Sequence, residues 1–103
     1  MMIVFTAVGD SKEAGRLAEL LVEEKLAACV QILPPMTSVY FWEGAVQKEP
    51  EHLLLIKTLR EKYEAVEAFL NEHHSYDVPE IVAVEAAEVS VAYGKWLTDY
   101  ING

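Results

Sequence analysis

The sequence predicts an α+β fold in which helices cover one face of an antiparallel sheet. Three patterns carry that expectation: short runs rich in β-branched and aromatic residues, two stretches with apolar residues at helical spacing, and a turn signal between the middle runs. The first run, "MIVFTAV" at 2–8, is apolar almost throughout and reads as a buried strand. In "GDSKEAGRLAELLVEEKLA" Asp10 stands at a capping position, with Glu13 placed to reach back as in a capping box. Ala14, Leu17, Ala18, Leu21 and Val22 then recur on one side, while Glu19, Glu23, Glu24 and Lys25 take the other. That helix packs one face on the sheet.

"AACVQIL" at 27–33 is the second strand, closed by Pro34-Pro35, which cannot donate ladder hydrogen bonds. Extended structure resumes in "MTSVYFWEG", Glu43-Gly44 begins a turn, and "EHLLLIKT" at 51–58 returns as the other half of a hairpin. Thr58 and Glu61 repeat the capping-box spacing, and Tyr63, Val66, Phe69 and Leu70 stripe a second helix that runs to residue 72 or 73. "IVAVEAA" at 81–87 is the last strand, and Tyr93, Trp96, Leu97, Tyr100 and Ile101 are spaced for a short terminal helix. The order is β-α-β-β-α-β plus a C-terminal helix. It fits a ferredoxin-like sandwich, one domain spanning residues 1–103.

Composition excludes several classes of function. No apolar run approaches the ~18 residues of a membrane span, so no membrane insertion is expected. The start, "MMIVFTAVGD", lacks a basic segment and a cleavage site, and one cysteine cannot form an internal disulfide; together they predict a cytoplasmic location. A net charge of −9, from 17 acidic and 8 basic residues, repels phosphate backbones, so nucleic acid is not an expected partner. The same acidity attracts cations in general, but it specifies no coordination geometry and is first of all a solubility device.

Two strands look apolar on both faces. In "SVYFW", Ser38, Tyr40 and Trp42 point one way and Val39 and Phe41 the other, and "HLLLI" behaves similarly. Helices cover only one face, so the second needs a partner, and another copy of the chain is the simplest one. Tyr40 and Trp42 are expected at that oligomer interface, with a ligand pocket as the alternative.

Five segments in register, "EKLAACVQI", "SVYFWEG", "EHLLLIKT", "HHSYDVPEI" and "YGKWL", make the chain resemble the CutA family of divalent-cation tolerance proteins. The resemblance covers nearly the whole chain. It implies a ferredoxin-like subunit in a tight homotrimer, sheets inward and edge strands paired between subunits, as in PII signalling proteins. It implies a link to tolerance of divalent metals, notably copper, with no enzymatic reaction and no required cofactor. Copper ligation in the family has been attributed to a histidine pair and a first-strand cysteine. His73 and His74 match the pair, but Phe5 stands at the cysteine position and Ser75 where proline is usual.

The residues themselves leave the metal question open. Neutral imidazole ligates copper or zinc well, yet helical neighbours point about 100° apart, so one ion rarely takes both. On one reading a histidine favours the negative helix end and the other packs; on the other the pair binds copper or another divalent cation weakly. His74 is the better candidate, by its spacing to Tyr76. A rival function places a small anionic ligand in an intersubunit cleft around Lys57, His74, Tyr76 and Glu80, as in a PII-like sensor. Lys57 is otherwise an ion-pair partner. Cys29, inside an apolar strand, reads as a small buried hydrophobe, and Pro79 holds Val78 extended to launch the last strand.

Overall fold

Strand pairing is organised by the turn at Glu43-Gly44, where both residues have positive φ, 51° and 80°. A two-residue hairpin needs this geometry to match the right-handed twist of its strands. In the computed structural model, which describes residues 1–103, the turn folds β3 (Met36–Trp42) onto β4 (Ala45–Thr58), from Trp42 opposite Ala45 to Met36 opposite Glu51. The second half of β4 pairs antiparallel with β1 (Met2–Val8) and with β2 (Cys29–Ile32). β5 (Val82–Glu85) closes the far edge against β1, giving the order β2-β4-β1-β5 with β3 also on β4. The ferredoxin-like α+β fold is therefore present.

β4 starts six residues earlier than the sequence pattern, at Ala45 rather than Glu51. "AVQKEP" is polar and carries Pro50, so its own propensity is weak; backbone pairing with β3 makes it a strand. The outcome is a two-stranded arm projecting from the body, in a molecule 45 Å long and 25 × 23 Å across. Along the arm Val39 is 60%, Phe41 71% and Val46 70% exposed.

α1 (Ser11–Glu23) and α2 (Tyr63–His73) cover one face of the sheet. Leu17 and Leu21 of α1 and Val66 and Leu70 of α2 pack on Val4, Leu54 and Ile56, all fully buried. α1 ends in a Schellman motif: Lys25 has φ 57°, Leu26 N–H donates to Leu21 O at 3.0 Å and Lys25 N–H to Val22 O at 3.0 Å. α3 (Val91–Asn102) is capped by Ser90 and packs Leu97 and Ile101 on Ala28. Its Tyr100 hydroxyl donates to Val22 O at 2.6 Å, tying the C-terminus to the end of α1.

Both predicted capping boxes are incomplete. Asp10 caps α1 through Lys12 N–H at 3.2 Å, but Glu13 is bonded elsewhere. Thr58 donates its hydroxyl to Leu26 O at 2.6 Å, and α2 is entered through a 3₁₀ turn, Arg60–Lys62, with no side-chain cap. The strand register also places Cys29 opposite Lys57 and Lys57 opposite Ile3, on the face that no helix covers. Cys29 is thus half-buried in one chain rather than enclosed in its core.

Thr6 is fully buried on β1, and its Oγ1 has no hydrogen-bond partner. An unmet hydroxyl in an apolar layer costs free energy that a methyl group avoids. Thr6→Val is expected to raise stability by about 1 kcal/mol, read as a higher urea midpoint at fixed protein concentration.

Candidate functional site

The chain leaves α2 at His74, whose backbone turns extended (φ −71°, ψ 142°), and five hydrogen bonds then fix the segment from His74 to Tyr76. The His74 side chain is fully enclosed. Its Nδ1 accepts the Tyr76 N–H at 3.1 Å, so Nε2 carries the proton and donates to Ala7 O at 2.8 Å. Both nitrogens of a neutral ring are then in use. Ser75 donates its N–H and its hydroxyl to the two oxygens of the buried Glu13 carboxylate, each at 2.8 Å. The Tyr76 hydroxyl donates to Glu51 Oε2 at 2.8 Å. It passes over Gly9, where an added Cβ would lie 3.1 Å from that oxygen, so the missing side chain makes room for the phenol.

The adjacent histidines do point apart. His73, in the last turn of α2, stacks on Phe69 with ring centroids 4.3 Å apart and stays half-exposed. No three His, Cys, Asp or Glu side chains converge within the chain to hold a metal ion.

Tyr76 and the loop beyond it form one wall of a groove of about 580 Å³ beside the arm. Tyr40 and Trp42 of β3 form the opposite wall, Glu51 lies between them, and Asp77 and Glu80 line the loop side. The groove thus unites Tyr76 and Glu80 of the proposed cleft with the expected interface pair Tyr40 and Trp42. Lys57 lies elsewhere, roughly 20 Å along β4 from Glu51, its ammonium 5.5 Å from the Tyr93 ring centroid. His74 supports the loop from beneath and does not line the groove.

Glu13 and Glu51 are the contributors that sequence reasoning passed over. Glu51 carried a signal: it is the one carboxylate within "EHLLLIKT", at a position that alternation places on the same face as Leu53 and Leu55. Charge in the groove acts on its phenols. Burial, the Tyr76–Glu51 hydrogen bond and the Glu51 charge push the Tyr76 hydroxyl well above its ordinary value near 10. Tyr40 is raised in the same direction by desolvation and by Glu49 and Glu51.

Comparison with known proteins places this geometry. The family described as CutA1 divalent ion tolerance protein matches residues 2–100. The chain belongs to the CutA1 family. Among its relatives, the divalent-cation tolerance protein CutA of Thermus thermophilus is 41% identical over 97 residues, 94% of each chain. The chloroplastic protein CutA of Arabidopsis thaliana is 43% identical over 96 residues, 93% of this chain and 53% of the plant protein. The chain thus spans about half the length of that relative. A structure of the periplasmic divalent cation tolerance protein CutA from Archaeoglobus fulgidus superposes with a TM-score of 0.94 at 31% identity, covering 98% of this chain and 99% of the other. Those two compartments overturn the expectation of a cytoplasmic location for a CutA1 chain. The shared fold occurs in proteins named for different compartments, and one unpaired thiol is compatible with each. No helix is long and apolar enough to cross a membrane.

Two outcomes test the anchoring role of the loop. His74→Ala leaves Ala7 O and Tyr76 N–H without their partner, and should cost about 2–4 kcal/mol in denaturant unfolding; His73→Ala should cost less than about 1 kcal/mol. Equal effects would contradict the assignment. Because the folded chain holds the Tyr76 proton more tightly than the unfolded chain, stability is intact below pH ~10 and declines as pH rises past it. Tyr76→Phe should flatten that alkaline decline.

Proposed function

We propose that the chain acts as a homotrimer in tolerance of divalent cations, through binding and assembly rather than catalysis. One observation carries the oligomer: the arm presents Val39, Phe41 and Val46 to solvent, while Ile3, Phe5, Leu53 and Leu55 occupy the sheet face that no helix covers. Full burial of each such side chain favours association by about 1.5–3 kcal/mol. The arm and the open sheet face are different surfaces, so their mutual contact is head-to-tail, the kind of contact that builds a ring where the rotation between subunits closes. Likeness to the CutA family supports three members in that ring.

Membership of the CutA1 family supports the role in divalent-cation tolerance. Direct copper binding by one subunit would be weak, and the half-exposed His73 is better placed for it than the enclosed His74. Within one chain Glu51, Asp77 and Glu80 line the groove and no lysine or arginine does, which favours a cation over an anion at this groove.

Light scattering at micromolar concentration should give three times the 11.6 kDa chain mass. A folded monomer or dimer under those conditions defeats the proposal. Phe41→Glu should dissociate the assembly while helix content by circular dichroism persists. The same variant should fail to restore divalent-metal resistance to cells lacking their own CutA-family protein.

A further inference from the structure

Glu51 is only 9% exposed, faces the groove and has one hydrogen-bond donor, the neutral Tyr76 hydroxyl at 2.8 Å. None of the chain's ion pairs includes it. A carboxylate offers about four acceptor sites, and enclosing one without a counter-charge is costly. The groove around it is walled by the aromatic residues Tyr40, Trp42 and Tyr76, whose ring faces attract cations. Asp77 and Glu80 add charge of the same sign on the loop side.

We propose that this groove binds a small organic cation, an alkylated ammonium head whose charge pairs with Glu51 and whose carbon surface lies against Tyr40, Trp42 and Tyr76. A metal ion suits the walls poorly, because indole and the protonated phenols are weak ligands and no three His, Cys, Asp or Glu side chains converge. A weakly hydrated ammonium gains from both features at once: partial desolvation strengthens its attraction to the rings and to the carboxylate. Burial chiefly raises the proton affinity of the Tyr40 and Tyr76 hydroxyls, and the Glu51 charge adds to it in both. The anchoring of the loop by His74 and Ser75 fixes the Tyr76 wall in advance of binding. Both walls come from one chain, but Glu51, Tyr40 and Trp42 share the sheet face of Leu53 and Leu55, so in the proposed ring the groove opens beside a subunit junction and the inference rests on that reading leaving it accessible.

The test is calorimetric titration of the protein, in its native assembly, with tetramethylammonium chloride. Tert-butanol serves as the neutral counterpart of similar shape, and sodium chloride controls for ionic strength. Tetramethylammonium should bind saturably, one per chain, and change the fluorescence of Trp42 in a Trp96→Phe background. Glu51→Gln, which keeps an acceptor for Tyr76, should weaken binding at least about ten-fold. Trp42→Leu should weaken it too, with an unchanged circular dichroism spectrum. Equal binding of tert-butanol, reproduction of the signal by sodium chloride, or unaltered affinity in Glu51→Gln overturns the assignment. So does the absence of saturable binding by protein that light scattering shows to be intact, a result that leaves the oligomer proposal standing.

Discussion

A strand of 14 residues that has a complete sheet around only one half sets the terms for this fold. From Leu53 onward β4 has β1 on one edge and is joined on the other by β2 and its continuation at Leu33, and both helices lie over it. From Ala45 to Glu51 it has only β3. Two strands alone are marginal in water, because their side chains bury too little surface to offset the ordering of the backbone. The arm is therefore held at its root by the body and needs cover along its length. The groove, the exposed aromatic pairs and the case for assembly all follow from that half-supported strand.

The root of the arm is also where the loop after α2 is fastened. Glu51 is the last residue of β4 to face β3, and His52 the first to face β1, so the junction falls between them. Tyr76 is bonded to Glu51 there, while His74 and Ser75 hold the same loop to β1 and α1. Helical layer, sheet and arm thus meet through one short segment. The two adjacent histidines divide their labour, one ring inward as a polar strut and the other packed on Phe69 at the surface.

Much of the architecture was legible because hydrophobic periodicity reports which face an element buries. Met2–Val8 was bounded correctly, and the stripe from Tyr63 to Leu70 located α2. Elements that draw their order from a partner were less visible. Ala45–Pro50 has weak strand propensity and is extended because β3 pairs with it. Thr58 has the spacing of a helix cap, but a carbonyl at Leu26, distant in sequence, takes its hydroxyl. The site divides in the same way. Tyr40, Trp42, Tyr76 and Glu80 were singled out and line one groove, whereas Lys57 projects at the other end of β4. Glu13 was assigned to its own helix, since no local pattern foretells a bond to Ser75 across 62 positions.

The arm has a consequence for the chain before it meets other copies. A projecting ribbon with unpaired backbone edges and exposed Phe41 and Val46 is a template for indiscriminate strand addition. Its own sequence resists that outcome: Lys48 and Glu49 put charge along the outer strand, and Pro50 removes a donor from it. The net charge of −9 keeps newly made chains apart as well, at distances beyond a few ångströms. In the proposed ring, association must therefore be won by close apolar fit against a standing repulsion, and dissolved salt, by shortening the reach of that repulsion, would act as an accelerator of assembly.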